Sequence, residues 1–489
     1  PDTLALALGQ HASNQDSCKE KPISLYTRNK EIRQEWQNIL ERWVETFSSF
    51  KKNINHESSN LHRTPNRLKI CIDVHNLSID PKKLVKTGIQ EVNFQLLKSL
   101  ALLRSELADI VEIIAIPILP NSTKYFSFFK PTFNCSPKLL QQVELEISKE
   151  TGISRNDLWG FDLGSMKYNI TPMDFCKLVS DTDWFFVTSQ YDIRRCYKKL
   201  KESSPKVKIS YLIYDLIPTL FPELVVRGLD TWFTYEYLRS IRNFSSLALT
   251  ISRASALDLI NHTEGEELPF PIYSRLLPLK QNNSSSETKY SANRLNFKLP
   301  AKNELTPGKY FLLLGSTDPR KNTANTIKGF TRFHHIYKAK VSDIKLAIVG
   351  PKHWRSKEIE TALEQASEKC DIVEIGYVPD DVMHSLVKNS SGILMPSLYE
   401  GFGIPLALAR SYGIPTLTAS NSSLVEVTEA NTIFVDPGSI DSLALGMYEL
   451  LQQPFQNISM KDDWLSYTRD LIQLHLLESN KIKLDNITI

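Results

Sequence analysis

The sequence predicts an α/β protein with two doubly wound parallel sheets and an extra helical segment at the N-terminus. Short apolar runs rich in β-branched residues alternate with amphipathic stretches, first from Leu68 to Leu259 and again from Tyr310 to Val435. Strand–helix–strand alternation of this kind argues for parallel sheets with helices on their faces. Between the two series runs QNNSSSETKYSANRLNFKLPAKNELTP, rich in Asn, Ser and Pro and poor in large apolar side chains. That composition reads as a linker, and 489 residues leave room for two domains and more.

In chain order, residues 1–65 form a polar N-terminal extension. Within it, Lys30 to Phe50 places Ile32, Trp36, Ile39, Leu40, Trp43 and Phe47 at helical spacing. Docking on its own protein is the first reading of that helix; an interfacial membrane helix is the second, because aromatic and basic residues share it. Residues 66–270 make the first Rossmann-like domain. Its strands are LKICIDVHNL from Leu68, Ile110 to Leu119, Trp184 to Thr188, Ile209 to Ile213 and Leu247 to Ile251. Gly88 opens a helix running through Leu102, and another helix starts near Ser252. Residues 271–306 are the linker and 307–460 the second domain. Its strands are Tyr310 to Leu314, Ile344 to Val349, Ile372 to Ile375, Gly392 to Met395, Thr416 to Thr418 and Thr432 to Val435. Residues 461–489 hold a closing helix, Trp464 to Leu477. Two such domains set the carboxyl ends of their strands across a cleft, where open α/β sheets bind ligands.

Composition narrows the function. Lys+Arg 58 against Asp+Glu 55 gives +3, too balanced for a protein that grips nucleic acid by neutralising many phosphates. Six cysteines stand without CxxC spacing, which favours neither a zinc site nor a disulfide scaffold and fits a reducing cytoplasm. No apolar run approaches the ~18 residues of a membrane span, so any membrane contact is expected to be peripheral, at the inner face.

Four turns carry residues suited to phosphate and sugar chemistry. GSTDPRKN, Gly315 to Asn322, follows the strand YFLLL and delivers Arg320 and Lys321 into the cleft, where two adjacent cations suit a diphosphate; a solvated turn is the plain alternative. PSLYEGFGIP, Pro396 to Pro405, has Glu400 before Gly401, Phe402 and Gly403, with Pro405 in the first helical turn. Its glycines let backbone approach a ligand, and the helix N–H groups form an anion site. Lys86-Thr87-Gly88-Ile89 leads into a helix in the first domain. Tyr214-Asp215-Leu216-Ile217-Pro218 follows the strand ISYLI, so Tyr214 and Asp215 are candidates to touch the reacting sugar or its acceptor, with capping as the even alternative for Asp215. Asp181-Thr182-Asp183 mimics an acidic metal triplet but precedes its strand; loop capping is preferred, and no catalytic metal is expected.

Taken together, these turns make the chain resemble the retaining glycosyltransferases of family 4, which have the GT-B architecture. The resemblance rests on GSTDPRKN, KLAIVG, IGYVPDDVM, MPSLYEGFGIP, YGIPTLTASNSSLVEV and FVDP in the second domain, and on IDVHNL, KTGI, YDLIP and TISRAS in the first. It implies transfer of a hexose, mannose favoured, from a GDP- or UDP-sugar to a glycan, glycolipid or glycoprotein acceptor. No cofactor beyond the nucleotide sugar is implied. Lys321 matches the family's phosphate lysine with Arg320 beside it, Glu400 the first of two motif glutamates holding donor-sugar hydroxyls, and Gly401 to Gly403 its phosphate turn. Gly88, Ser252, Gly315, Ser316 and Tyr377 complete the implied donor contacts. The pattern is broken at Leu408, where the second glutamate would stand, at Tyr214, where many relatives carry His, and at Ser316, often Arg. Leu408 motivates the competing expectation of a non-catalytic, glycan-binding or partner subunit. The missing initiator Met and the unmatched residues 1–65 suggest a piece of a longer polypeptide.

Overall fold

The computed structural model describes residues 67–73, 88–116, 145–153, 176–188, 200–225, 233–262, 268–278, 305–350, 357–366, 370–456 and 463–479, apart from positions 150, 178, 316, 317 and 429. The expected helix at Lys30 to Phe50, Lys86, Thr87, Ser316 and most of the linker lie outside these residues.

The first domain is a six-stranded sheet of β1 (Leu68–Asp73), β2 (Val111–Ile116), β3 (Trp184–Val187), β4 (Lys208–Ile213), β5 (Ser245–Thr250) and β6 (Ile272–Ser274), ordered β2-β1-β3-β4-β5-β6. Every pairing is parallel. Helices α1 (Gly88–Leu107) and α2 (Arg253–Asn261) flank it. β6 is a correction to the sequence reading: Ile272–Ser274 lies within the stretch assigned to the linker, yet it pairs with β5 from Ala248 to Thr250. Its three residues are flanked by Pro271 and Pro278, and a prolyl N cannot donate to a ladder, so the segment resembles a loop on the page.

The second domain repeats the plan with β7 (Tyr310–Leu314), β8 (Lys345–Val349), β9 (Ile372–Gly376), β10 (Gly392–Met395), β11 (Thr416–Ala419) and β12 (Thr432–Val435), ordered β12-β11-β10-β7-β8-β9. Its helices are α3 (Thr323–Val341), α4 (Lys357–Ala366), α5 (Asp380–Lys388), α6 (Ile404–Ser411) and α7 (Ile440–Leu450). Read from β7, that order is the Rossmann order, and it reverses direction between β7 and β10. The turns after these two adjacent strands therefore open into one crevice. They are the turns that carry Arg320, Lys321 and Glu400.

Strands of both sheets are buried on both faces: β3 of the first sheet and β7, β10, β11 and β12 of the second are buried at every residue. Continuous apolar runs are therefore required in place of alternation. One apolar cluster crosses the domain boundary, joining Leu68, Phe94 and Leu212 of the first domain to Met395, Phe402 and Leu424 of the second. The final helix, α8 (Trp464–Glu478), returns to the first domain. His475 packs edge-on against Trp184 with ring centroids 5.0 Å apart and bonds Ser210 Oγ at 2.7 Å, while Trp184 Nε1 donates to Ser479 Oγ at 2.6 Å. Among the described residues no helix is long and apolar enough to cross a membrane.

Candidate functional site

At the crevice, the β7 turn tightens into a single 3₁₀ turn, Pro319–Lys321, capped by Asp318, whose carboxylate accepts the Arg320 N–H at 3.0 Å. Asn322 ends this turn in the left-handed region, φ 57°, which Asn tolerates better than most residues. Its amide donates to the carbonyls of Pro396 at 3.1 Å and Pro437 at 2.7 Å, fastening the cation loop to the ends of β10 and β12. Leu398 N donates to Arg320 O at 2.8 Å, so the two turns are also stitched through backbone.

Glu400 receives both cations. Lys321 Nζ donates to Glu400 Oε1 at 2.6 Å, and Arg320 donates to Oε2. The side chains of Lys321 and Glu400 are 14% and 6% exposed, so the pair stands largely out of water, where a Coulomb interaction is strong and a lost partner is costly. Burial alone pushes the Glu400 carboxyl up; Lys321 and Arg320 outweigh it and hold the carboxyl below its ordinary value. Burial lowers the Lys321 ammonium by more than Glu400 restores. The charges are thus mutually dependent.

Asp215 faces this group from the first domain, half-buried, with its Oδ1 accepting the Ile217 N–H at 3.1 Å. Burial raises its carboxyl above the ordinary value against the pull of Arg320. Gly401 makes the approach sterically feasible: a Cβ there would stand 2.7 Å from both Asp215 Cβ and the Tyr214 carbonyl oxygen. Gly403 caps α6 at φ 95°, with Pro405 in the first helical turn. Gly315 lies against the Lys321 stem, its would-be Cβ 3.6 Å from Lys321 Cε, and Gly88 packs across the boundary toward Ile404 Cδ1. Phe402 is buried in the interdomain cluster.

Three expected residues stand elsewhere. Tyr214 continues the face of β4 that holds Leu212; its hydroxyl accepts from Asn93 Nδ2 at 3.0 Å and donates to the Thr188 carbonyl at 2.9 Å, so the phenol turns into the core and away from the crevice. The buried Ser252 hydroxyl caps α2, accepting the Ser255 N–H at 3.1 Å and bonding Ser255 Oγ. Tyr377 is 51% exposed just beyond β9, two strands from β7. Asp183 Oδ2 accepts the Lys69 N–H at 2.9 Å, a bond to strand β1 and not within its own loop. Among the described residues no three His, Cys, Asp or Glu converge as metal ligands. Leu408 lies on α6, half-buried against the cluster that includes Val378 and Leu386.

Residues 296–470 match the family described as Glycosyl transferases group 1, a stretch that holds the cation loop, Glu400 and the glycine turn. Over 144 residues the chain is 28% identical to O-antigen chain mannosyltransferase B of Escherichia coli; the match spans 29% of this chain and 37% of that protein. The trehalose-6-phosphate phosphatase N-terminal domain of Candida albicans superposes with TM-score 0.53 at 12% identity, covering 86% of this chain and 99% of that one. Sucrose-phosphate synthase of Thermosynechococcus elongatus does so with TM-score 0.51 at 14% identity, covering 85% and 100%. The chain accordingly has the GT-B architecture of two Rossmann-like domains, and residues 296–470 of it are similar to group 1 glycosyltransferases.

Proposed function

We propose that the protein transfers a hexose, mannose by preference, from a nucleotide diphosphate sugar to a glycan or glycoconjugate acceptor with retention at the anomeric carbon. The observation that carries this reading is the convergence of Arg320 and Lys321 on Glu400 at the reversal point of the second sheet. The mannose preference draws support from the Escherichia coli mannosyltransferase match.

On donor binding, the diphosphate takes over the cations and Glu400, released from them, accepts hydrogen bonds from sugar hydroxyls. As the glycosidic bond breaks, negative charge grows on the β-phosphate. Fixed cations already held in place stabilise that charge more than the ground state, without reorganising at the moment of reaction. The acceptor hydroxyl attacks from the face the leaving group vacates and the departing phosphate takes its proton, so no enzyme nucleophile and no metal is called on. Asp215 lies close enough to this charge group to orient the sugar or the acceptor.

The competing reading, a non-catalytic subunit, rests on Leu408, and the intact triad argues against it. Donor hydrolysis and transfer with a panel of UDP-, GDP- and dTDP-sugars on wild type, Glu400→Ala and Leu408→Glu tests the proposal. Turnover with one base, lost in Glu400→Ala, supports it. No turnover with any donor, and no change on removing Glu400, sinks it. Tighter donor binding in Leu408→Glu, by about ten- to a hundredfold for one charged hydrogen bond, would identify the ribose position.

A further inference from the structure

Both backbone polar groups of Glu400 are held by side chains. Glu400 N donates to Ser422 Oγ at 3.1 Å, and Ser423 Oγ donates to the Glu400 carbonyl at 2.9 Å. Ser422 sits at φ 45°, a left-handed conformation that L side chains rarely adopt and that persists only where surroundings enforce it. The same segment runs straight into the one-turn helix Leu424–Val427, pinned by the buried Leu424 and Val427.

From that turn Glu426 crosses to the first domain. Its Oε2 accepts the Arg253 N–H at 2.9 Å and its Oε1 the Ala254 N–H at 2.8 Å. These are first-turn amides of α2, which have no partner inside their own helix and favour a negative charge. The α2 N-terminus is thus capped half by its own Ser252 and half by the other domain. A second crossing reaches the same helix: Tyr399, immediately before Glu400, donates to Asp258 Oδ2 at 2.6 Å and packs on Phe221 with ring centroids 4.8 Å apart.

We infer that Glu426 is a positioning residue for Glu400: it binds the α2 N-terminus across the domain boundary and, through Ser422 and Ser423, fixes where the Glu400 carboxylate stands against the two cations. This assignment rests on reading Glu400 as a donor-sugar ligand. It makes closure of the two domains and assembly of the sugar site one event.

Hydrogen exchange on the full chain, with kinetics on the active donor, tests the inference in Glu426→Ala and in the isosteric Glu426→Gln, which keeps the test open should the alanine variant fold poorly. Exchange should quicken at least tenfold at the Arg253 and Ala254 amides and also at the Glu400 amide, which Glu426 does not touch. kcat should fall about tenfold in Glu426→Ala and less in Glu426→Gln, which retains one acceptor. Faster exchange at Arg253 and Ala254 with Glu400 unchanged overturns the inference and leaves Glu426 a simple cap; so does unchanged exchange at all three. If the Glu400 amide responds while the wild type turns over no sugar nucleotide, the positioning link stands and the transfer reading fails.

Discussion

Gly401 and Asp215 meet across the domain boundary so closely that the glycine has no room for a methyl group: its Cβ would stand 2.7 Å from the Asp215 Cβ. The Tyr214 carbonyl oxygen is equally close. Backbone cannot swing aside as a side-chain tip can, so Gly401→Ala must displace the Glu400 turn or part the domains. Overpacking of this kind costs about 1–3 kcal/mol. The variant is expected to melt a few degrees lower and to lose at least tenfold in transfer rate. An unchanged rate would mean that the two domains need not come this close.

Lys321→Ala should slow transfer by about 10²–10³, the usual cost of one preorganised donor to a developing negative charge. It should also destabilise the fold, because Glu400 is left buried with Arg320 alone. Removing one partner of a buried pair costs about 3–5 kcal/mol, and the remaining guanidinium places this site at or below the lower end. Lys321→Ala/Glu400→Gln should recover stability but not rate. Calorimetry beside a donor assay separates the two effects.

His475 makes the docking of α8 pH-sensitive. Burial drops its pKa from 6.5 to about 4, against the pull of the Leu471 carbonyl. Between those values the unfolded chain binds a proton that the folded one refuses, so stability falls as pH drops through that window. The full shift corresponds to about 3 kcal/mol. The wild type should therefore lose stability relative to His475→Phe on acidification from pH 6.5 to 4, in melts run side by side. A pH-independent difference would place the imidazole in water.

Asp258 works in the opposite sense. Burial raises its carboxyl to about 6, although the Tyr399 phenol pulls it down. The folded protein therefore takes up this proton first, and the site loses stability as pH rises from about 4 through 6. Tyr399→Phe removes the donor and should push the carboxyl above 6, read by NMR titration of the labelled aspartate. A value at or below 6 in that variant would contradict the hydrogen bond.

The strands were legible because parallel strands buried on both faces must be apolar throughout, and YFLLL, GILM and TIFV have no other plausible use. Adjacency of Arg320 and Lys321 to Glu400 followed from the turn positions once the strand order reversed between β7 and β10. Tyr214 is not legible as a core residue, because it follows a strand's carboxyl end, yet period-two alternation sets it on the Leu212 face. Glu426 was invisible: its partners Arg253 and Ala254 lie far away in the chain, and nothing local marks a carboxylate that caps another domain's helix. Asn322 left a faint sign, since Asn after two cations is a residue that accepts a left-handed turn.

Calorimetric titration of UDP and GDP against the wild type and Arg320→Ala/Lys321→Ala tests the central claim most directly. The paired cations predict millimolar or tighter binding of one nucleotide, weakened at least tenfold in the double variant. Equal affinity in both proteins, or no binding of either nucleotide at millimolar concentration, would contradict a diphosphate site between β7 and β10.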